Sequence, residues 1–488
     1  MSATLHLTQL IDGEARAFGE AHALDVSEPA TGQPYALCPA GTVADVDDAV
    51  RAATAAFPTW SALPNDVRAH WLQRLANGIE AQAEEFAQAE SRDAGKPLKL
   101  VREIEIPRAI ANLRFFAAAA TQFASESHHG QAGLNYTLRQ PLGAVVCISP
   151  WNLPLYLFTW KIAPALAAGN CVVAKPSEIT PVTAWMLGEL AREIRLPAGV
   201  LNIVHGLGPV VGRALVEHAD IKAVSFTGST AVGRQIAAHC GPALKKMSLE
   251  LGGKNPTIVF ADAFNDESMR ESLLDTVVRS AFQNSGQICL CGSRILVERS
   301  AYDAFRDAFV ARVEKLHVGD PQDPATSLGP LVSRAHYEKV LACIATARHE
   351  GGHVLCGGEA LQLEGRCENG WFIEPTVIEG LGPDCRSNTE EIFGPVVTLQ
   401  AFDDDAEALT LANATPYGLA ASVWTQRLER AHRIAANLHS GIVWINTWMT
   451  RDLRTPFGGV GQSGLGREGG IEAMRFFTEP KNVCIKLD

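Results

Sequence analysis

The chain has 488 residues, 47% hydrophobic, 20% charged and 7% aromatic, enough apolar surface to offset the chain entropy of folding roughly two or three domains. Its formal charge of -12, from 42 basic and 54 acidic residues, argues against nucleic acid as a partner, because duplex binding needs Lys and Arg to displace counterions from phosphates. No run reaches the ~18 apolar residues of a membrane span, and Asp12, Glu14 and Glu20 stand where a secretory leader would be apolar, so a cytoplasmic protein with no membrane partner is expected.

Taken in chain order, Thr42 is positioned to cap a helix in which Val46, Ala49, Val50, Ala53 and Phe57 recur at helical spacing. Val67, Trp71, Leu72, Leu75 and Ile79 repeat the pattern, so the N-terminal third reads as largely helical. From residue 143 the texture changes to short apolar runs at 143–148, 171–174, 201–204, 223–226 and 257–260, separated by helix-length segments such as 154–168, 181–194 and 230–239. That alternation is the sequence form of a doubly wound parallel sheet. A second set runs from about 270 to 445, with helical 301–316 and 335–350 and strand-like 294–297, 396–401 and 441–445. The stretch 121–139 and the tail 483–487 fit neither set and read as edge strands or arms, completed by another subunit. The predicted fold class is α/β, with two doubly wound parallel-sheet domains and a β arm.

The eleven cysteines are odd in number, scattered and never paired as CxxC, which suits reduced thiols rather than a disulfide framework or a zinc ribbon; no metal is expected. His349-Glu350-Gly351-Gly352-His353 has the letters of a zinc motif, but that chemistry needs both histidines on one helical face, and two central glycines end a helix instead. Gly459-x-Gly461-x-x-Gly464 does not lead from a strand into a helix and reads as a glycine-rich loop. Better placed are Gly206-Leu207-Gly208-Pro209 and Phe226-Thr227-Gly228-Ser229, each between a strand and a helix, where free N–H groups favour a pyrophosphate. Turn glycines at such joints are also common without a ligand.

Cys289 follows the polar, glycine-bearing Gln283-Asn284-Ser285-Gly286-Gln287, the surroundings expected of a partly exposed nucleophile with a lowered pKa. No His, Asp or Glu lies within five residues of it, so its partners must come from elsewhere in the chain. Glu250, before Leu251-Gly252-Gly253, is a carboxylate whose desolvation would raise its pKa toward that of a useful base, unless an ordinary salt bridge holds it. Asn152, between Pro150 and Pro154, is a neutral donor able to stabilise an oxyanion or to cap a turn.

In this order, Pro150-Trp151-Asn152-Leu153-Pro154, Lys175-Pro176-Ser177-Glu178, Phe226-Thr227-Gly228-Ser229, Glu250-Leu251-Gly252-Gly253-Lys254, Gly286-Gln287-Ile288-Cys289, Glu390-Glu391-Ile392-Phe393-Gly394-Pro395 and Pro456-Phe457-Gly458-Gly459 resemble the aldehyde dehydrogenase superfamily over nearly the whole chain. The resemblance implies an NAD-binding domain (1–122 and 142–250), a catalytic domain (251–450) and an oligomerisation arm (123–141 and 470–488) in a homodimer or homotetramer. It implies Cys289 as nucleophile, Asn152 as oxyanion amide and Glu250 as the base for deacylation. For the cofactor it implies Trp151, Lys175, Ser177, Glu178, Gly208, Ser229, Leu251, Gly252, Glu391 and Phe393, with Glu178 repelling a 2'-phosphate and so favouring NAD over NADP. A glutamate at 250 implies hydrolysis of the thioester rather than transfer to coenzyme A.

The segment Asn446-Thr447-Trp448-Met449-Thr450-Arg451-Asp452-Leu453-Arg454 puts arginines just before the Pro-Phe-Gly-Gly loop, near the expected substrate mouth. A guanidinium fork suits a carboxylate, although Asp452 could take either arginine as an ion pair. Together with Leu134-Asn135-Tyr136-Thr137, Thr159-Trp160-Lys161, Ile288-Cys289-Leu290-Cys291 and Pro480-Lys481-Asn482-Val483-Cys484, this stretch is similar to the family's muconic semialdehyde subgroup, which acts in aromatic ring cleavage. The implied substrate is a small anionic aldehyde, 2-aminomuconate 6-semialdehyde first and 2-hydroxymuconate 6-semialdehyde second. Arg108, Arg451 and Arg454 are the candidates to bind it. Oxidation of 5-carboxymethyl-2-hydroxymuconate semialdehyde, betaine aldehyde or an aliphatic aldehyde, and a non-catalytic role on the same fold, are the alternatives. The acidic segment 262–275 is a few residues longer than the family pattern.

Overall fold

The computed structural model describes residues 4–19, 22–131 and 133–487. Thr42 caps the helix Val43–Ser61 as anticipated: its Oγ1 accepts the Asp45 N–H at 3.3 Å while Asp45 accepts the Thr42 N–H at 2.8 Å. Val46, Ala49, Val50 and Ala53 are buried, and Leu72, Leu75 and Ile79 are the buried stripe of the next helix, Asn65–Ala81. Ahead of Thr42 the described residues form no α-helix. They form the short strands Leu5–His6, Gln9–Ile11, Glu14–Arg16, Ala23–Glu28 and Gln33–Pro39. Three of these have only two or three residues, too few to carry a period-two pattern.

The first large sheet has five parallel strands, in the spatial order Lys246–Glu250, Ala223–Thr227, Ala144–Ile148, Cys171–Lys175, Leu201–Ile203. The chain starts in the middle with Ala144–Ile148, winds outward through Cys171–Lys175 and Leu201–Ile203, then returns to add the other two on the opposite side. Such a reversal opens a crevice at the carboxyl ends of the strands where the order switches, here Ala144–Ile148 and Ala223–Thr227. Ala144–Ile148 and Cys171–Lys175 are buried at every residue, which is why they read as continuous apolar runs. The strand Lys246–Glu250, KMSLE, lacks such a run and went unseen in the sequence although it carries Glu250. Antiparallel Gln9–Ile11 and Glu14–Arg16 extend one edge, and Gly464–Leu465 the other.

In the second sheet Pro256–Val259 is flanked by Arg294–Glu298, Val396–Phe402 and Thr376–Glu379 on one side and by Ala420–Trp424 and Ile442–Ile445 on the other, all parallel. The run 257–260, grouped by sequence with the first set, therefore begins the second sheet; an apolar run does not encode which sheet it joins. The long acidic segment is absorbed by a turn of helix, Ala261–Phe264, and by Asp266, which accepts the Ser268 and Met269 N–H groups and caps the helix Glu267–Phe282. His349 ends the helix Arg334–His349, Gly351 turns with φ 91°, and His353 opens a strand, so those two histidines share no helical face.

Gly133–Pro141 pairs antiparallel with Thr478–Ile485, from Leu134 opposite Ile485 to Pro141 opposite Thr478, and with Ser127–Gly130 on its other side. The two segments that fitted neither sheet are thus joined to each other within one chain. Residues 470–476, expected to belong to the arm, are instead the helix Gly470–Phe476, packed on the helices Pro154–Ala167 and Ile106–Gln122. Among the described residues no helix is long and apolar enough to cross a membrane.

Asn170, fully buried, ties this three-stranded sheet to the first large sheet. Its Oδ1 accepts the Leu142 and Gly143 N–H groups, at 2.7 and 3.2 Å, and its Nδ2 donates to the Ala165 and Phe477 carbonyls, at 3.1 and 2.9 Å. Asn170→Ala strands buried donors and acceptors and is expected to cost about 2–4 kcal/mol, read as a lower urea midpoint at unchanged slope.

Candidate active site

Cys289 sits on a loop between the helix Glu267–Phe282 and the strand Arg294–Glu298. Three consecutive residues in it, Asn284, Ser285 and Gly286, have φ of 54°, 53° and 72°. Two of them are not glycine, a strain the surroundings must hold in place. Asn284 Nδ2 donates to the Asn152 carbonyl at 3.2 Å and Ser285 Oγ to the Gly329 carbonyl at 2.7 Å. At Gly286 a Cβ would collide with the Gly394 carbonyl, so the cysteine loop runs directly against the loop bearing Glu391 and Phe393. Asn255 Nδ2 donates to the carbonyls of both Cys289 and Cys291, at 2.7 and 2.9 Å, and Trp448 Nε1 to that of Leu290 at 2.9 Å.

This accounting corrects the expectation of a lowered thiol pKa. The side-chain donors around Cys289 are taken up by backbone carbonyls, and burial first, then the carboxylates of Glu391 and Glu250, push the thiol up, with Arg451 opposing. The resting group is a thiol that needs a base. Glu250 supplies a buried carboxylate at the end of its strand, with neither oxygen hydrogen-bonded. Burial, then Glu468, lift it well above the usual range against Lys161, Arg467 and Arg451. Glu468 is itself held by Lys161 Nζ at 2.6 Å and Ser225 Oγ at 3.0 Å, a buried cluster that sequence reasoning missed because its members lie 64 to 307 residues apart. Asn152 comes to the same place: its Nδ2 donates to the Gln287 carbonyl at 2.9 Å, leaving a second N–H.

A cavity of about 240 Å³ brings Cys289 and Asn152 together with Trp151, Ser229, Leu251, Gly252, Glu391 and Phe393. Ser229 caps the helix Thr230–Cys240, and Glu391 Oε1 accepts the Gly253 N–H at 2.9 Å. Burial raises the Glu391 pKa against that bond and the charges of Lys339 and Lys254. His336 and Lys339 also line this cavity and went unnoticed in the sequence. His336 Nε2 lies 2.7 Å from the Phe393 carbonyl, and Lys339 Nζ donates to the Ile392 carbonyl at 3.2 Å. They sit three residues apart on one helix, a spacing that is informative only once the loop they hold is known.

A second cavity of about 470 Å³ is lined by Lys175, Gly208 and apolar side chains including Val232 and Ile236. Lys175 Nζ meets Glu178 Oε2 at 3.0 Å, and the other Glu178 oxygen accepts the Gly208 N–H at 3.4 Å. Burial would raise the Glu178 pKa, but Lys175 and these hydrogen bonds outweigh it and hold the carboxylate ionised. Ser177 is buried with its Oγ accepting the Ile179 N–H, a turn bond, and lines neither cavity.

The arginines separate. Arg454 is corrected as a substrate contact: its side chain is 80% exposed and paired with Asp452 at 2.5 Å, the local ion pair that sequence allowed. Arg451 and Arg108 have no carboxylate partner among the described residues. Arg451 lies over Phe457 at 4.1 Å and Trp160 at 5.4 Å and donates to the Tyr156 hydroxyl at 2.7 Å. Arg108 lies over Tyr156 and Trp160, with its Nε and one Nη buried and unpartnered. No group of three His, Cys, Asp or Glu side chains among the described residues is placed to hold a metal ion.

The profile of the Aldehyde dehydrogenase family matches residues 18–483. The chain belongs to this family. It is 48% identical to the 2-aminomuconic semialdehyde dehydrogenase of Danio rerio, over 95% of each chain. It is 46% identical to the 2-hydroxymuconic semialdehyde dehydrogenase of Pseudomonas sp. (strain CF600), over 94% of this chain and 95% of that one. Among solved structures, PnpE from Pseudomonas sp. WBC-3 superposes with a TM-score of 0.94 at 43% identity, covering 99% of this chain and 98% of that one.

Gly458, in the loop before Gly464–Leu465, has φ 150°, and a Cβ there would lie 2.6 Å from Glu250 Oε1. Gly458→Ala is therefore expected to displace the Glu250 carboxylate. Turnover should fall by about tenfold or more, a displacement cost like that of a misplaced catalytic group, with the thermal midpoint moving by only a few degrees; steady-state kinetics alongside calorimetry checks this.

Proposed function

We propose that the protein is an NAD-dependent dehydrogenase that oxidises a muconic semialdehyde to the dicarboxylate, with 2-aminomuconate 6-semialdehyde as first choice and 2-hydroxymuconate 6-semialdehyde as second. The observation that carries the substrate class is the pair of guanidiniums, Arg108 and Arg451, neither within ion-pair distance of a described carboxylate and close enough to the reacting groups for the Arg451 charge to be felt at Cys289 and Glu250. A second anion on the substrate answers both. The named relatives on either side of the amino and hydroxy choice support the class and leave the substituent to experiment.

For the cofactor, the ionised Glu178 beside Lys175 suits ribose hydroxyls and repels a 2'-phosphate, which favours NAD; PnpE in complex with nicotinamide adenine dinucleotide, at a TM-score of 0.95, supports the same choice. Lys175, Glu178 and Gly208 would hold the adenosine half. Trp151, Ser229, Leu251, Gly252, Glu391 and Phe393 would hold the nicotinamide half. Ser177 would act only through its turn. In this reading residues 1–122 and 142–250 are the cofactor domain and 251–450 the catalytic one. The paired strands Gly133–Pro141 and Thr478–Ile485, with Ser127–Gly130, form the arm of a homodimer or homotetramer.

The chemistry follows from the groups present. Glu250, ionised and unpartnered, takes the Cys289 proton as Sγ attacks the aldehyde carbon, and the second Asn152 N–H with the Cys289 backbone N–H stabilises the oxygen of the thiohemiacetal. NAD, when bound, accepts the hydride that leaves this carbon. Once Glu250 has released that first proton to solvent, the thioester left on Cys289 is attacked by water whose proton passes to the reionised Glu250, releasing the carboxylic acid and the Cys289 thiolate. Burial, and then Glu468 beside it, make Glu250 a stronger base than a solvated carboxylate.

Only ionised Glu250 can accept a proton, and its pKa is raised, so kcat/KM is expected to rise with pH through a midpoint above the ordinary carboxylate range. Glu250→Gln should lower the rate by roughly 10²–10⁴-fold and remove that limb of the profile. Arg451→Ala is expected to raise KM for carboxylated semialdehydes by about 10–100-fold, the loss of one charge-assisted anchor, while sparing an uncharged aldehyde. NADH formation with 2-aminomuconate semialdehyde, 2-hydroxymuconate semialdehyde and hexanal tests this, and equal use of all three by both proteins would overturn the substrate reading.

A further inference from the structure

Tyr156 belongs to neither the nucleophile, the base nor the cofactor contacts, yet both unneutralised arginines meet on it. It stands in the first turn of the helix Pro154–Ala167, directly after Asn152, with Trp160 four residues on and therefore on the same helical face. Its side chain is buried, 5% exposed. The hydroxyl oxygen accepts Arg451 Nη1 at 2.7 Å, and the Arg108 guanidinium carbon stands 5.5 Å from the ring centroid. Trp160 lies beneath both guanidiniums, at 5.4 Å from Arg451 and 5.7 Å from Arg108.

Two guanidiniums so close repel each other: burial first, then the charge of Arg451, lower the Arg108 pKa against Tyr156 and the more exposed Asp452. Something must hold them together while no anion is bound. The aromatic faces attract both cations without neutralising either. The hydroxyl does more, because it fixes one Arg451 N–H in direction. A phenol that already accepts a hydrogen bond still has its own proton to give.

We propose that Tyr156 is a positioning and specificity residue that holds Arg108 and Arg451 as one receptor for the distal carboxylate of the substrate, with its own O–H as a third donor to that carboxylate. This rests on the carboxylated-semialdehyde reading given above. An aspartate or glutamate in the place of Tyr156 would cancel one of the two charges of the pair and compete with the substrate anion. An aliphatic residue would let Arg451 swing away from Arg108. A tyrosine orders the two and leaves their charge available.

The test compares wild type, Tyr156→Phe and Arg451→Ala on 2-hydroxymuconate semialdehyde and on hexanal, with NAD saturating. Tyr156→Phe keeps the ring and removes only the hydroxyl. Its KM for the carboxylated aldehyde should rise roughly tenfold, the loss of one hydrogen bond to a charged group. Its kcat and its KM for hexanal and for NAD should stay within about twofold, a range that uniform binding of the anion alone would leave. The dissociation constant of muconate, a dicarboxylate with no aldehyde to react, should rise by the same factor in a fluorescence titration that needs no turnover.

An equal effect of Tyr156→Phe on both aldehydes would mean that Tyr156 only packs, and the proposal would fall. So would an unchanged KM for the carboxylated aldehyde in Tyr156→Phe while Arg451→Ala loses its preference, an outcome that leaves the substrate reading standing. If Arg451→Ala also keeps the wild-type preference, both fall. Should Tyr156→Phe fail to fold, 4-aminophenylalanine at 156, isosteric and a weaker acceptor, makes the same comparison. An intermediate KM supports the proposal and a wild-type KM overturns it.

Discussion

One buried amide holds the site together. Asn255 stands where the chain leaves the first sheet and enters the second, five residues after Glu250 and one before the strand Pro256–Val259. Its Nδ2 donates to the carbonyls of Cys289 and Cys291, and its Oδ1 accepts the Ala420 N–H at 3.0 Å. A single side chain thus fixes the cysteine loop against the segment carrying the base and against the second sheet. In so dry a place each of these bonds is electrostatically stronger than in water, and each unpaired group would be costly. The left-handed residues at 284 and 285 persist because bonds of this kind surround them.

The electrostatics of the site follow from what this scaffold leaves unpaired. Glu250 has no hydrogen-bond donor, and its neighbour Glu468 has one oxygen fully engaged by Lys161 and Ser225. Lys254 is likewise buried and unpartnered, its pKa pulled to about 8 by burial and by Arg294. His336, packed on Trp151, is kept neutral, its pKa lowered to about 4 chiefly by burial. Burial moves these groups away from their solution values, and for the unpaired Glu250 and Lys254 it moves them toward neutral pH. The end of the site that bears Arg108 and Arg451 has the opposite character, since these arginines are stacked on aromatic faces with no carboxylate at ion-pair distance among the described residues.

Much of this was legible in the residues. The parallel strands announced themselves because both faces of their sheet are covered and the side chains are apolar without interruption. The strand Lys246–Glu250 did not, since it joins the sheet near one edge and half of it is only partly buried. The same contrast divides the site. Cys289, Asn152 and Glu250 stood out through the glycines and prolines around them, while Lys161, Glu468, His336 and Tyr156 lie in ordinary helical or loop sequence and gave no local sign.

Motif order and hydrophobic periodicity are local properties, so from residues alone follow the fold class, the family resemblance and the candidates for nucleophile, base and oxyanion donor. The ionisation of those groups is not local. Whether Cys289 rests as a thiol depends on Glu391 and Glu250 reaching it from 102 residues after and 39 before, and on burial that no window of sequence contains. Choosing between two similar arginines three residues apart was likewise a tertiary matter. Arg454 has Asp452 within reach and solvent around it, whereas Arg451 turns inward onto Phe457, Trp160 and Tyr156, and only packing brings Tyr156, 295 residues away in sequence, and its helix neighbour Trp160 to that guanidinium.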